Sequence, residues 1–154
     1  LVRHRVGTAM SQESLRFVRL TDLEWYAPTV IQESEAAMTI FSKTFESLSN
    51  LQIELAESFN LDSLDSFDEK KKITSAMRRV APIGLATNIG WSTNIRTLRH
   101  VIEQRTAPWA EEEIRLVFAK IAEIAIERWP NMFSDYSYEM VDGLPVYTTI
   151  NRKV

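Results

Sequence analysis

Apolar and polar positions along the chain change period several times, and each change predicts an element. From about Glu33 to Phe59 the residues Phe41, Phe45, Leu48, Leu55 and Phe59 recur at spacings of three, four or seven, which places them on one helical face. An ordinary core helix satisfies this pattern, and it carries no chemistry. The polar run NLDSLDSFDEKKK (Asn60 to Lys72) predicts a loop and then a helix capped near Ser66 or Asp68, because Asp and Ser side chains compete for backbone hydrogen bonds. Acidic residues lead that helix and basic ones follow, as the macrodipole favours; Arg78 and Arg79 close it and Pro82 stops it. LATNIGWST (Leu85 to Thr93) reads as extended chain with Leu85, Ile89 and Trp91 on one side, leading into a helix capped by Thr93 or Asn94 and running to about Arg105. Thr106 then predicts the cap of another helix, with Pro108 in its first turn and Glu111, Glu112 and Glu113 near its start. Its apolar stripe is Ile114, Val117, Phe118, Ile121 and Ala125, and Pro130 ends it.

Strand signals are weaker. RFVRL (Arg16 to Leu20) and EWYAP (Glu24 to Pro28) read as short extended pieces, and YEMVDGLPVYTTI (Tyr138 to Ile150) as a hairpin turning at Asp142-Gly143, with Pro145 against it. LDSLDSFD is too short to count as an internal repeat. The expected fold class is therefore α+β: a helix-rich single domain with a small sheet. Composition agrees, since 154 residues at 45% hydrophobic suffice for one core.

Charge and residue usage exclude several functions. A net charge of -3 argues against a surface given over to nucleic acid or membrane, so any anion site is local. With no cysteine, disulfides, thiolate metal sites and cysteine nucleophiles are ruled out. Apolar runs fall far short of the ~20 residues of a membrane helix, and the expectation is a soluble cytoplasmic protein. The first residue is Leu1 rather than Met, which suggests an upstream portion.

Candidate chemistry begins with LVRHRVGTAMSQESLRF (Leu1 to Phe17). Three ring or fork cations, Arg3, His4 and Arg5, precede Ser11, Glu13, Ser14, Leu15 and Arg16, a set that suits a phosphate monoester; a disordered basic tail is the plain alternative. On the helix from Asn94 to Arg105, the side chains of Asn94, Leu98, Val101 and Arg105 share a narrow sector at ~100° per residue. Two readings stand: a half-buried helix whose Arg105 reaches water, or a face lying along a flat ligand with polar contacts at each end. Arg78 and Arg79 point ~100° apart, so at most one faces any given site. With only two histidines and no nucleophile elbow, Walker loop or dinucleotide turn, an enzyme built on this chain would depend on a cofactor for its chemistry.

RHRVGTAMSQESLRF resembles the signature of the flavin-dependent thymidylate synthases (the ThyX family): an RHR triplet, a short spacer, a serine, then an arginine and an aromatic. RRVAPIGLATNIGWSTNIRTLRHVIEQR (Arg78 to Arg105) and AEEEIRLVFAKI (Ala110 to Ile121) resemble later blocks of the same family, and the matches run from Leu1 to about Trp129. The resemblance implies a ThyX-like fold and the synthesis of dTMP from dUMP, with methylenetetrahydrofolate as one-carbon donor and NADPH as reductant acting through FAD. It implies that Arg3, His4, Arg5, Asn94, Arg96 and His100 contact FAD. Glu13, Ser14, Leu15, Arg16 and Arg78 would bind dUMP, with Arg78 reaching the site from a neighbouring subunit of a homotetramer. Arg105 would be the catalytic residue that holds the uracil ring. The absence of cysteine fits, because the other class of thymidylate synthase requires a cysteine nucleophile.

The spacer from Arg5 to Ser14 is one residue longer than the common form, which puts Glu13 beside the serine where the family has its glutamate at the position of Gln12. Phe17 stands for the usual tyrosine, Thr8 for a common serine and Trp109 for a histidine found in some members. The family also carries a region before the triplet that helps bind flavin, so this chain is expected to match its C-terminal two-thirds and to be inactive by itself if that region is required. The rival class is a non-catalytic helical module whose basic arm, Arg3 to Arg19, binds RNA or nucleotide phosphates.

Overall fold

The computed structural model describes residues 1–15, 20–21 and 24–152. In chain order its elements are β1 (Thr8–Gln12), α1 (Thr29–Gln32), α2 (Glu35–Ser58), α3 (Phe67–Met77), β2 (Ile89–Thr93), α4 (Ile95–Thr106), α5 (Glu112–Arg128), α6 (Pro130–Phe133), β3 (Tyr136–Val141) and β4 (Leu144–Thr149). Short 3-10 turns cover Leu61–Ser63 and Arg78–Val80. The α+β, helix-rich class expected from the pattern is the class observed. The expected extended piece from Arg16 to Leu20 falls mostly outside the described residues.

Composition points to one core, yet the chain folds as two compact units, the first made of Leu1–Ser11 with Gly90–Val154 and the second of Gln12–Ile89. The first unit is built on α4 and α5. Leu98, Val101 and Ile102 of α4 meet Phe118, Ala119, Ala122 and Ala125 of α5, and Phe133 and Tyr147 complete the cluster. Alanine at three inward positions of α5 leaves room for the larger α4 side chains, which is how a helix pair fills space without voids. Val117, expected in the stripe, is 48% exposed, because the buried arc of α5 is centred on Phe118 and Ala122.

Two further expectations are corrected in this unit. Thr106 does not cap α5: it is the last residue of α4, fully buried, donating from Oγ1 to the Ile102 carbonyl (2.9 Å) and accepting from the Tyr147 backbone N–H (3.0 Å). Helix α5 starts later, at Glu112, and Pro108 lies in the turn that joins the helices. Pro130 does more than end α5, since it occupies the first position of α6, where its missing N–H costs nothing. The C-terminal hairpin forms as expected. β3 and β4 pair antiparallel with Tyr138 opposite Tyr147, and the turn residues Asp142 and Gly143 both take positive φ, 53° and 76°. Pro145, opposite Met140, is tolerated because each strand of a two-stranded ladder has one unpaired edge. A second two-stranded sheet joins β1 and β2.

The second unit holds α2 and α3. Ser34 and Ser66 cap them, accepting from the Ala37 and Glu69 backbone N–H groups at 3.3 Å each. Trp25 stacks on Phe45 (5.1 Å between ring centroids) and meets Phe41 edge-on, while Leu20 and Phe45 form the buried centre. Trp25 also bridges Leu85, so the extended readings of 24–28 and of Leu85 meet at one point of backbone pairing. Gln52, buried on α2, donates to the Met77 carbonyl at the end of α3. Phe59 lies at the end of α2 and is 48% exposed, because Asn60 turns the chain away in a left-handed conformation (φ 46°). Among the described residues no helix is long and apolar enough to cross a membrane.

Candidate functional site

The candidate site is assembled in the first unit, where the opening loop lies on the N-terminal turns of α4. Asn94 caps that helix, its Oδ1 accepting from the Thr97 backbone N–H at 2.9 Å. The loop is fastened to the same spot. The Gly7 carbonyl accepts from the Asn94 backbone N–H (2.9 Å) and from Thr93 Oγ1 (3.3 Å), the Val6 carbonyl from Thr97 Oγ1 (2.9 Å), and the His4 carbonyl from Thr8 Oγ1 (2.6 Å). Arg3 and Arg5 therefore belong to a bonded turn rather than to a loose basic tail. Both are exposed, as is Arg96 in the first turn of α4, and among the described residues none of the three pairs with a carboxylate.

The same loop reaches the other end of α4 through His4. Half-buried Arg105 donates from Nε to His4 Nε2 at 2.8 Å, and the His100 ring stands edge-on to His4 with centroids 6.5 Å apart. An arginine nitrogen only donates, so His4 Nε2 must hold a lone pair and the ring proton sits on Nδ1. Burial, Arg105 and His100 all push the His4 pKa below its ordinary value. The triplet thus presents two cations and a neutral imidazole, where the sequence suggests three cations. The Arg105 terminal amino groups have no hydrogen-bond partner among the described residues. Of the two readings for this helix face, a strip along a flat ligand is not what forms, because Leu98 and Val101 are buried in the core cluster. Only the two ends of the face, Asn94 and Arg105, meet the loop.

The remaining candidates belong to the second unit. The Glu13 backbone N–H donates to the Asn88 carbonyl (2.9 Å), and Asn88 Nδ2 donates to Glu13 Oε2 (3.0 Å). Ser14 is exposed and Leu15 packs on the Trp25 and Phe45 cluster. Arg78 is exposed where α3 passes into the 3-10 turn. Arg16 lies outside the described residues. Among those described, no group of three His, Asp or Glu is placed to hold a metal ion.

The family model described as thymidylate synthase complementing protein matches residues 1–131, a span that contains every candidate residue above. The chain belongs to that family. Similar proteins include the flavin-dependent thymidylate synthase of Corynebacterium glutamicum, 31% identical over 97% of this chain and 61% of the relative, and that of Mycolicibacterium gilvum, 29% identical over 97% and 61%. The chain thus spans about three-fifths of the length of these relatives. Among solved structures, the flavin-dependent thymidylate synthase ThyX of Helicobacter pylori, complexed with FAD and dUMP, has a TM-score of 0.57 at 19% identity, covering 87% of this chain and 64% of that one. That likeness shows a shared fold.

Within the chain, three residues that hold these elements in place carry no mark in the sequence pattern. Gly7 has φ +69°, and a Cβ there would lie 2.1 Å from Asn94 Nδ2 and 2.7 Å from Thr97 Oγ1. Thr97 is the hydroxyl that holds the loop. Arg99, two residues on and facing the opposite way, is buried and binds Asp135 through both of its terminal nitrogens (2.9 and 2.6 Å). A glycine two residues after the triplet is the one signal that sequence offers for any of these.

Proposed function

We propose that the protein is a flavin-dependent thymidylate synthase, forming dTMP from dUMP with methylenetetrahydrofolate as one-carbon donor and NADPH as reductant. The observation that supports this best is Arg105, anchored through Nε while its terminal amino groups have no partner among the described residues. Beside a uracil carbonyl such a fork stabilises the negative charge that develops as N3 ionises, which raises electron density at C5. Arginine suits the task because it stays protonated throughout. C5 takes the methylene unit and loses its proton, and the carbon's bonds to the folate nitrogens break so that tetrahydrofolate leaves.

The residues present fit a flavin dinucleotide. Arg3, Arg5 and Arg96 offer exposed guanidinium groups, unpaired with any carboxylate among the described residues, on one loop and the adjoining helical turn, a donor set that matches a pyrophosphate, and Asn94 and His100 lie on the same helix. FAD would supply the hydride that converts the transferred methylene to methyl. Glu13, Ser14, Leu15, Arg16 and Arg78 are assigned to dUMP, the hydroxyl and guanidinium groups to its phosphate. In this reading the active protein is a homotetramer, with Arg78 acting in a site of a neighbouring subunit.

Purified full-length protein should be yellow, and its flavin absorbance should change on titration with dUMP. It should convert dUMP to dTMP when given methylenetetrahydrofolate and NADPH. A colourless protein whose affinity for RNA falls steeply with salt would replace this reading with the binding-module one.

A further inference from the structure

We propose that His4 is the positioning residue for Arg105: its Nε2 accepts the Arg105 Nε–H and thereby aims the two terminal amino groups at the uracil. The inference rests on the uracil role of Arg105 proposed above. Three observations carry it. The contact is short, 2.8 Å, and joins residues 101 apart in sequence, so it is made only when the opening loop is seated on α4. The loop is seated there by bonds that do not involve His4, from Asn94, Thr93 and Thr97 to the Gly7 and Val6 carbonyls. And the polarity of the contact is fixed, because guanidinium nitrogens donate only.

An imidazolium has no lone pair to offer, so protonation of His4 removes the acceptor and sets two cations against each other. The charged and titratable groups facing His4 are Arg105 and His100, both on α4. Both oppose its protonation, and no carboxylate among the described residues counters them. Among the described residues no hydrogen bond uses the His4 Nδ1–H, so contact with a flavin is compatible with this role. Binding of the uracil should therefore follow the neutral fraction of His4.

The test uses the full-length flavoprotein. Histidine-selective NMR should show His4 as the Nδ1–H tautomer with a pKa below 6.5, and R105A should move that pKa upward. Deoxyuridine, which has no phosphate to titrate, should bind about tenfold more weakly for each pH unit below the His4 pKa. H4Q, whose amide oxygen accepts the same N–H without titrating, should flatten that profile, while H4F should bind weakly at every pH. An Nε2–H tautomer, or a pH profile in H4Q that follows the wild type, overturns the positioning role alone. Failure of both dUMP and deoxyuridine to bind the wild type at about pH 8 overturns the uracil assignment and the aiming role together.

Discussion

At Gly7 the backbone runs at φ +69°, and the nearest atoms to a notional Cβ are those of the residue that caps α4. An alanine there would meet both a left-handed backbone and the Asn94 amide, so Gly7→Ala should cost roughly 2 kcal/mol or more. Thermal denaturation measures the loss, and flavin retention should fall with it, since the same turn carries Arg3 and Arg5. Arg105→Ala acts differently. It should leave flavin absorbance in place and lower turnover by about two orders of magnitude, the usual effect of removing one charge-stabilising group; unchanged turnover would contradict its role. Arg3, His4, Arg5 and Arg105 are legible in the sequence because their chemistry travels with their residue type. The protonation of His4 is not, because it depends on an arginine a hundred positions away. Gly7 and Thr97 escape for the same reason: a positive φ and a hydroxyl-to-carbonyl contact leave no periodic trace.

Helices α4 and α5 and the hairpin depend on each other through polar groups that neither period nor propensity exposes. Arg99 Nη1 donates to the Met132 carbonyl as well as to Asp135, the guanidinium lies over the Tyr136 ring (4.9 Å), and the Tyr136 hydroxyl returns a bond to the Arg99 carbonyl. Asp135 also accepts from Thr149 Oγ1 and Asn151 Nδ2, which ties β4 to the same point. These bonds, the one from Arg99 foremost, hold the Asp135 carboxyl well below the usual carboxylate range, and burial pushes the Tyr136 phenol up to about 12. Because the unfolded chain takes up the proton more readily than the folded one, this stabilisation is complete above the unfolded carboxylate pKa near 3.8 and fades as pH falls further. Asp135→Asn should cost about 3 kcal/mol at neutral pH by leaving Arg99 unpaired, and its stability curve should be flatter than the wild type below about pH 4. Urea denaturation across that range checks both. Local signals serve well at this scale: the caps at Ser66 and Asn94 and the Asp142-Gly143 turn are all readable from their own neighbourhoods. Thr106 misleads because its hydroxyl is claimed by Tyr147, 41 residues away. Strand β1 is silent because Thr8–Gln12 alternates only weakly between exposed and half-buried positions.

Across the whole molecule, composition sums apolar residues without saying how they are shared, so the division into clusters around Phe118 and around Phe45 is invisible to it. Oligomeric state is equally hidden, yet the proposed division of labour between Arg78 and Arg105 makes it testable. Arg78→Ala should raise the dUMP concentration needed for turnover, as a lost phosphate contact does, with a smaller effect on the rate at saturation. On the proposed assignment, Arg78→Ala and Arg105→Ala each damage one half of the nucleotide site. If a site draws Arg105 from one subunit and Arg78 from another, mixing the two variants lets some sites take both arginines from undamaged positions. Random reassembly of equal amounts should restore about a quarter of the wild-type sites, because each of the two contributions is intact half the time. If both arginines act within one chain, every site in the mixture lacks one of them and no activity returns. Mixing under conditions that dissociate the oligomer, followed by assay at low dUMP, separates these outcomes. Recovery at low dUMP would place Arg78 in its neighbour's site without any assumption about the arrangement of the subunits.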